Sequence, residues 1–411
     1  MKFPRFLKER ILEAFKVSPI TLLIGPRQSG KTTLMKEIGK ELGMNYLTFD
    51  TLKQLSIAQE DPEGFIGTLS RPVIIDEVQR VPQIALPIKF VVDQNRIPGS
   101  FGLTGSANPL VAPKLNDSLA GRMFILHMWP LSMCEIQKKK SHFLELIFDP
   151  NAQFSEGTFW DRENMIEIFS AGGYPDALAL DSEMRDRWYD NLLTTIIERD
   201  VQDITSISRP RDMAKLLNIL AMRSSYLLNL SELSRVASIP YSTLNHYMVL
   251  LDSLFLIVRL PAWHTSRAKR VIKMPKLYFG DTGLLINQMR MGKELILENG
   301  RWFGPILENF VFLELKKLSS WASRPIELYH YRTQTGVEVD LVLENRDGQI
   351  VGIEVKSSEN LSSDDWKGLD VLAEETGEKM IRGIILYPGK EVISLRKNRI
   401  ALPLSSLWNA K

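Results

Sequence analysis

Cysteine is nearly missing from this chain: its 411 residues include one, Cys134. That excludes a disulfide within the chain and any cysteine-built zinc cluster, and it suits a reducing compartment. With no histidine or asparagine clustered beside it, Cys134 reads as a core thiol and not a nucleophile. Long apolar runs are lacking as well. No window reaches the roughly 18 apolar residues of a membrane span, and the best stretch, Met248 to Val258, is broken by Asp252 and Ser253. The charged, amphipathic start, Met-Lys-Phe-Pro-Arg-Phe-Leu-Lys-Glu-Arg, has no secretion-signal pattern. The expectation is a cytoplasmic protein that does not enter a membrane. Nor does one sign of charge dominate: 51 Lys and Arg face 49 Asp and Glu, and a net charge of +2 selects no partner. The hydrophobic fraction of 44% and charged fraction of 24% exclude a disordered or fibrous chain. The length exceeds what one core supports and suggests about three domains.

What is present begins at residue 21. Thr21-Leu22-Leu23-Ile24 reads as a buried strand running into Gly25-Pro26-Arg27-Gln28-Ser29-Gly30-Lys31-Thr32-Thr33, a phosphate-binding loop between strand and helix. The glycines let successive N–H groups turn inward around phosphates, and Lys31 reaches the β- and γ-phosphates. Thr32 offers a hydroxyl to Mg²⁺, and the following helix aims its positive end at the anion. Asn45 to Asp50, Pro72 to Asp76, Ser100 to Thr104 and Phe124 to Met128 are further short apolar runs. With Thr21 to Ile24 they read as a five-stranded parallel sheet covered by helices, an α/β nucleotide-binding core. Asp76 and Glu77 end one of these runs, at the sheet edge where α/β proteins bind ligands. Asp76 would hold Mg²⁺ and Glu77 would polarise the attacking water; the alternative is an acidic strand end capping the next helix. Thr104 ends another run and could sense the γ-phosphate, or could belong to a connecting turn.

These segments resemble AAA+ ATPases of the prokaryotic type with Gly-Pro-Arg-Gln-x-Gly-Lys-Thr and a later Thr-Gly-Ser-Ala/Ser-Asn. The resemblance covers the first half of the chain and implies ATP with Mg²⁺, a sensor at Thr104, and an arginine finger just before the last core strand. Arg122, in Ser118-Leu119-Ala120-Gly121-Arg122, stands in that place. Acting on a neighbour's site it would require a homo-oligomer, such as a hexameric ring; otherwise it is a surface arginine closing a helix. The core is expected over 1–165 and a helical lid over 166–205, where Arg199 could lie near the nucleotide or, as is commoner for an arginine between two acids, form a salt bridge.

Residues 206–280 show helix-turn-helix spacing: Leu230 to Ala237 with Ser231 as cap, Ser238-Ile239-Pro240, then Tyr241 to Leu251. A strand over Phe255 to Leu260 follows. The stretch after it carries Arg267, Lys269, Arg270, Lys273 and Lys276 and no acid. The pattern resembles a winged helix, with Ser242, Thr243, Asn245 and His246 available to bases and Arg267, Lys269, Arg270 and Lys273 to phosphates. Such modules also bind proteins, and a basic run can be merely a solvated face.

Residues 281–411 read as αβββαβ: a helix with Glu308, strands over Ile326 to Arg332, Glu338 to Glu344 and Ile350 to Lys356, a polar helix from Ser363, and a strand over Ile381 to Tyr387. Asp340 lies among apolar neighbours, and Glu354 and Lys356 alternate on one strand face. Charges in buried strands are paired or bind something; Asp340 and Glu354 could hold a divalent cation, and Lys356 could orient water. The order Asp, then Glu-x-Lys, resembles the restriction-endonuclease-like fold, and Glu308 matches the helical glutamate of the archaeal Holliday-junction-resolvase type. The alternative is a salt-bridge cluster in a domain used for binding. The whole chain resembles prokaryotic AAA+ proteins with a C-terminal domain of unknown function. It is expected to be an ATPase that processes branched or broken DNA, with a nucleotide-switched regulator or scaffold, or a defence ATPase-nuclease, as alternatives.

Overall fold

A computed structural model describes residues 3–107, 119–201, 210–396 and 398–410. Strands β1 (Ile20–Ile24), β2 (Asn45–Thr48), β3 (Val73–Asp76), β4 (Phe101–Gly105) and β5 (Met123–His127) form a fully parallel sheet in the order β2-β3-β4-β1-β5. Alternation along the strands serves both faces. Leu23, Ile74 and Leu126 pack with Ile11, Phe15, Met35 and Ile38 from helices Lys8–Val17 and Lys31–Leu42. Leu22, Ile24, Ile75 and Leu103 pack on the opposite face with Phe65, Ile88 and Val92. The expected α/β core is therefore present, with every residue of β1, which lies between β4 and β5, buried.

Helices Arg162–Ala171 and Ser182–Thr195 follow, then Pro210–Ala221, Leu230–Ala237 and Tyr241–Ser253. The helix at 230–237 is capped by Asn229, whose Oδ1 accepts from the Glu232 N–H at 3.1 Å, and not by Ser231, which lies inside the first turn. Strands β6 (Ile257–Leu260) and β7 (Lys276–Phe279) form an antiparallel ribbon. Within the basic stretch between them, Arg267–Ile272 is a short helix with no buried residue.

Helix Gly300–Trp321 leads into β8 (Ile326–Arg332), β9 (Glu338–Asn345), β10 (Ile350–Val355), helix Lys367–Thr376 and β11 (Met380–Tyr387), in the αβββαβ order. Two strands beyond those expected, β12 (Ile393–Arg396) and β13 (Arg399–Pro403), complete a sheet ordered β12-β13-β11-β10-β9-β8. One apolar core runs from Met133 through Phe169, Leu216 and Leu251 to Trp408, so the later units share an interior. Helix Thr282–Met289, buried along its whole length, packs against both 162–171 and 210–221.

Candidate functional site

The loop after β1 is shaped by backbone geometry. Gln28 and Gly30 adopt left-handed φ values of 60° and 98°, and a Cβ on Gly25 would land on the Met128 carbonyl oxygen. Lys31 folds back onto its own loop, its Nζ donating to the carbonyls of Gly25 at 2.9 Å and Pro26 at 2.8 Å. Ser29 N–H closes on Pro26 O at 3.3 Å. Gly25, Pro26, Ser29 and Lys31 are buried, Arg27 and Thr32 partly so, and Gln28 and Thr33 are exposed.

Asp76, at the carboxyl end of β3, is the junction of this site. Thr32 Oγ1 donates to Asp76 Oδ2 at 2.9 Å, Tyr46 OH donates to the same oxygen at 2.7 Å, and Thr104 Oγ1 donates to Oδ1. Glu77 N–H donates to Thr104 Oγ1 at 3.2 Å, so β3 and β4 are tied at the edge that faces the loop. The Glu77 carboxylate accepts from Gln79, which also reaches Ser106 Oγ at 2.9 Å. A hydroxyl and a carboxylate in contact form a hard oxygen donor set, so Thr32 and Asp76 fit Mg²⁺. Arg122 is placed differently. It precedes β5, a strand length of roughly 16 Å from the loop edge, and pairs with Asp93 at 2.5 Å; it is no part of its own chain's nucleotide site. Arg199 meets Asp50 at 3.8 Å.

Sequence reading missed two residues of this region. Tyr46 alternates with Thr48 on β2 and so reaches Asp76; burial, then the neighbouring carboxylate, pushes its phenol above the ordinary range. Arg5 is isolated in sequence and left no pattern to find. Its guanidinium donates to Ser29 O and Trp129 O, each at 2.7 Å, and to Glu135 Oε2 at 2.8 Å. Cys134 is buried, and burial raises its thiol well above the usual range, as suits a core residue.

The C-terminal charges converge on an open cleft of about 680 Å³. The β9–β10 register, Leu341 opposite Ile353, brings Asp340 and Glu354 to one edge, and helix 300–321 supplies Glu308. Lys356 lies 3.9 Å from Glu354 and 3.3 Å from Asp365. Lys276, grouped by sequence with the exposed basic run, is here instead, 2.9 Å from Glu308 Oε1 and 3.2 Å from Asp340 Oδ1. The detectable signal was alternation: Lys276 and Tyr278 share one face of an apolar strand, and Tyr278 OH also donates to Glu308, at 2.6 Å. Burial, then Asp340, pushes the Glu308 carboxyl up to about 7, against the pull of Lys276. Burial also opposes ionisation of Asp340, but Lys276 and the Val355 N–H, 3.0 Å from Oδ2, hold it below the carboxylate range. Burial, then the neighbouring Asp340, drives the Glu354 carboxyl well above that range, against the pull of Lys356.

Asp340 and Glu354, the pair expected to hold a divalent cation, stand here with Lys276 beside Asp340 and Lys356 beside Glu354. Both Asp340 oxygens accept from donors, Oδ1 from the Lys276 Nζ and Oδ2 from the Val355 N–H. Among the described residues no three His, Cys, Asp or Glu side chains are set to hold a metal ion.

In the middle unit, Ser242, Asn245 and His246 are exposed on one side of helix 241–253 and Thr243 is partly exposed, while Leu244, Tyr247 and Met248 face inward. Arg267 and Lys269 are exposed, and Lys273 reaches Arg332 O at 3.3 Å. Arg270, expected at phosphates, turns inward instead: it pairs with Glu344 at 2.5 Å and lies over the rings of Trp263 and Tyr329.

A family model described as an AAA domain matches residues 17–137, and two domains of unknown function, DUF8612 and DUF4143, match 162–295 and 303–407. Uncharacterized proteins of Mycobacterium tuberculosis and Mycobacterium bovis are 28% identical over 401 residues, covering 97% of this chain and 83% of theirs. Among solved structures, a Walker-type ATPase of Pyrococcus abyssi is 13% identical with a TM-score of 0.42, covering 69% of this chain and 94% of its own. The RuvB Holliday junction branch migration motor of Thermotoga maritima is 20% identical with a TM-score of 0.29, over 62% and 89%. No helix among the described residues is long and apolar enough to cross a membrane. Residues 17–137, with their parallel sheet and phosphate-binding loop, carry an AAA+ ATPase-type fold.

Proposed function

We propose that this chain binds and hydrolyses ATP at the loop Gly25 to Thr33 and uses the cycle to act on DNA. The observation that carries the ATPase reading is the junction at Asp76, where Thr32 and Thr104 meet one carboxylate beside Glu77. Lys31 exchanges its bonds to loop carbonyls for phosphate oxygens, while the N–H groups around Gly30 take the rest of the anion. Thr32 and Asp76 would hold Mg²⁺, which supplies positive charge at the phosphates. Glu77 orients and polarises the attacking water, and Thr104 places Glu77 through its backbone N–H. Arg122, outside its own chain's site, would serve a neighbour's in a homo-oligomeric ring.

The DNA reading takes 206–280 as a winged helix, with Ser242, Thr243, Asn245 and His246 on the face of its second helix. Exposed Arg267 and Lys269, and Lys273 beside them, would meet phosphates, whereas Arg270 serves the interior. The αβββαβ order and the grouping of Glu308, Asp340, Glu354 and Lys356 support a restriction-endonuclease-like layout for the last unit. Lys276 between the carboxylates favours the alternative in which this unit works without cleavage, as part of a nucleotide-switched regulator.

The test compares wild type, Lys31→Ala and an Arg267→Glu/Lys269→Glu double variant on single-stranded, duplex, forked and four-way DNA. Lys31→Ala should abolish ATP turnover. The double variant should weaken DNA retention and flatten its salt dependence by about two counterions. Absence of ATP turnover in wild type refutes the first part of the reading; DNA retention indifferent to both charges refutes the second.

A further inference from the structure

The carboxylates of the C-terminal cleft already have a cation among them, and it belongs to the chain. Lys276 is 4% exposed and touches oxygens of both Glu308 and Asp340. Its neighbour on the same strand face, Tyr278, donates to the Glu308 oxygen that Lys276 also contacts. Without the ammonium, Glu308 and Asp340 would be like charges held together away from water, an arrangement that needs a compensating cation. The surroundings are not those of a closed salt bridge. The cleft stays open, and Glu338, Asp364 and Asp365 add further acid to its lining.

We propose that Lys276 is the resident cation of this cleft, filling the place beside Glu308 and Asp340 that a divalent ion would take, so that lysine and metal exclude one another. The proposal rests on reading the cleft as the functional site of the last unit. The backbone sets the lysine in place from both sides, Lys276 pairing with Leu260 in the β6–β7 ribbon and with Leu227 opposite. The far end of β7 is clamped, since Asn309 Oδ1 accepts from Phe279 N–H at 2.8 Å and Nδ2 donates to Phe279 O at 3.2 Å. Lys276 begins the strand, close behind the exposed basic segment that is the candidate phosphate contact.

The test is Mn²⁺ binding by calorimetry and by the electron-spin signal of free Mn²⁺, on full-length wild type, Asp340→Asn, Lys276→Met and the Lys276→Met/Asp340→Asn double variant, all without nucleotide. Wild type and Asp340→Asn should bind Mn²⁺ alike. Lys276→Met should gain a site at least tenfold tighter, lost in the double variant, and its lowered melting temperature should rise on adding Mn²⁺. A wild-type site that disappears in Asp340→Asn overturns the proposal, as does a folded Lys276→Met that gains none. Should Lys276→Met fail to fold, the comparison of wild type with Asp340→Asn decides alone. ATP turnover and DNA retention, measured separately, report on the broader reading.

Discussion

Removing Arg5 should damage both stability and nucleotide affinity, and the two effects can be separated. The guanidinium makes three bonds of 2.7 to 2.8 Å, one to a carboxylate and two to carbonyls, with 10% of the side chain exposed. Burial drags its pKa down, and Glu135 works against that. Arg5→Ala strands the Glu135 carboxylate, which is 2% exposed. Breaking such a pair costs roughly 3 to 5 kcal/mol, but the N–H groups of Phe6 and Ser132, each 3.1 Å from Glu135, remain as donors. The lower end, about 3 kcal/mol, is therefore expected in urea unfolding. Arg5→Lys keeps the charge but not the fork, and should cost about 2 kcal/mol. Because Ser29 belongs to the phosphate loop, the KM for ATP should rise on the order of tenfold, equivalent to about 1.4 kcal/mol. An Arg5→Leu/Glu135→Leu double variant removes the stranded charge and should recover most of the stability while the KM stays high. An unchanged urea midpoint and an unchanged KM in Arg5→Ala would refute the reasoning; recovery of both in the double variant would show that Arg5 does not position the loop.

Two further outcomes are expected. His330 is buried, its Nε2 donates to Met274 O at 3.0 Å, and its Nδ1 has no partner among the described residues. Burial, then Lys276, lowers its pKa from 6.5 to about 4. The unfolded chain therefore binds the extra proton between those values, so this contribution to stability is complete above pH 6.5 and is lost as pH falls through 4. It amounts to about 3 kcal/mol, and His330→Gln should remove that part of the slope in urea titrations run across this range. Gly25→Ala forces a methyl group onto the Met128 carbonyl and should abolish binding of a fluorescent ATP analogue. Gly67→Ala, with open space around the new Cβ on helix Pro62–Thr68, is the control and should bind normally.

The sequence was most legible where chemistry is local. The spacing from Gly25 to Thr33 is set within one turn of chain, and each core strand is a short apolar run with polar ends, so loop and sheet could both be read from order alone. The helix cap differs from the expected Ser231, because Asn229-Leu-Ser231-Glu232 offers two side chains able to cap, and it is Asn229 that reaches the Glu232 N–H while the Glu232 carboxylate pairs with Arg223. Strands β12 and β13 were hidden by Arg396, Lys397 and Arg399, whose charges blur the alternation. Arg270 and Lys276 show the limit of counting charge along a line. Each shares its residue type with exposed neighbours, and only the three-dimensional arrangement supplies Glu344 to one and Glu308 and Asp340 to the other. A lysine opening the alternation Lys-Leu-Tyr-Phe should have been weighed as a strand residue with an inward face.

The helix Gly300–Trp321 explains why the two charged sites are parts of one molecule and not separate modules on a string. Its 22 residues span about 33 Å as a stiff rod. In its first half, Glu308 and Asn309 fasten β7 through Lys276, Tyr278 and Phe279. Six residues further along, buried Glu314 accepts from the Met133 N–H at 2.9 Å, and Lys317 donates to Leu131 O at 3.0 Å. Those two residues leave the end of β5, between Trp129 and Glu135, which Arg5 ties to the phosphate loop. A rod held at both places cannot shift at Glu314 while leaving Glu308 fixed unless it bends. Arg5, the segment 129–135 and this helix thus form one connected path of polar contacts between Ser29 and the carboxylates beside Lys276. The burial of these links keeps them from being replaced by water, so each lost partner leaves a polar group unsatisfied inside the molecule.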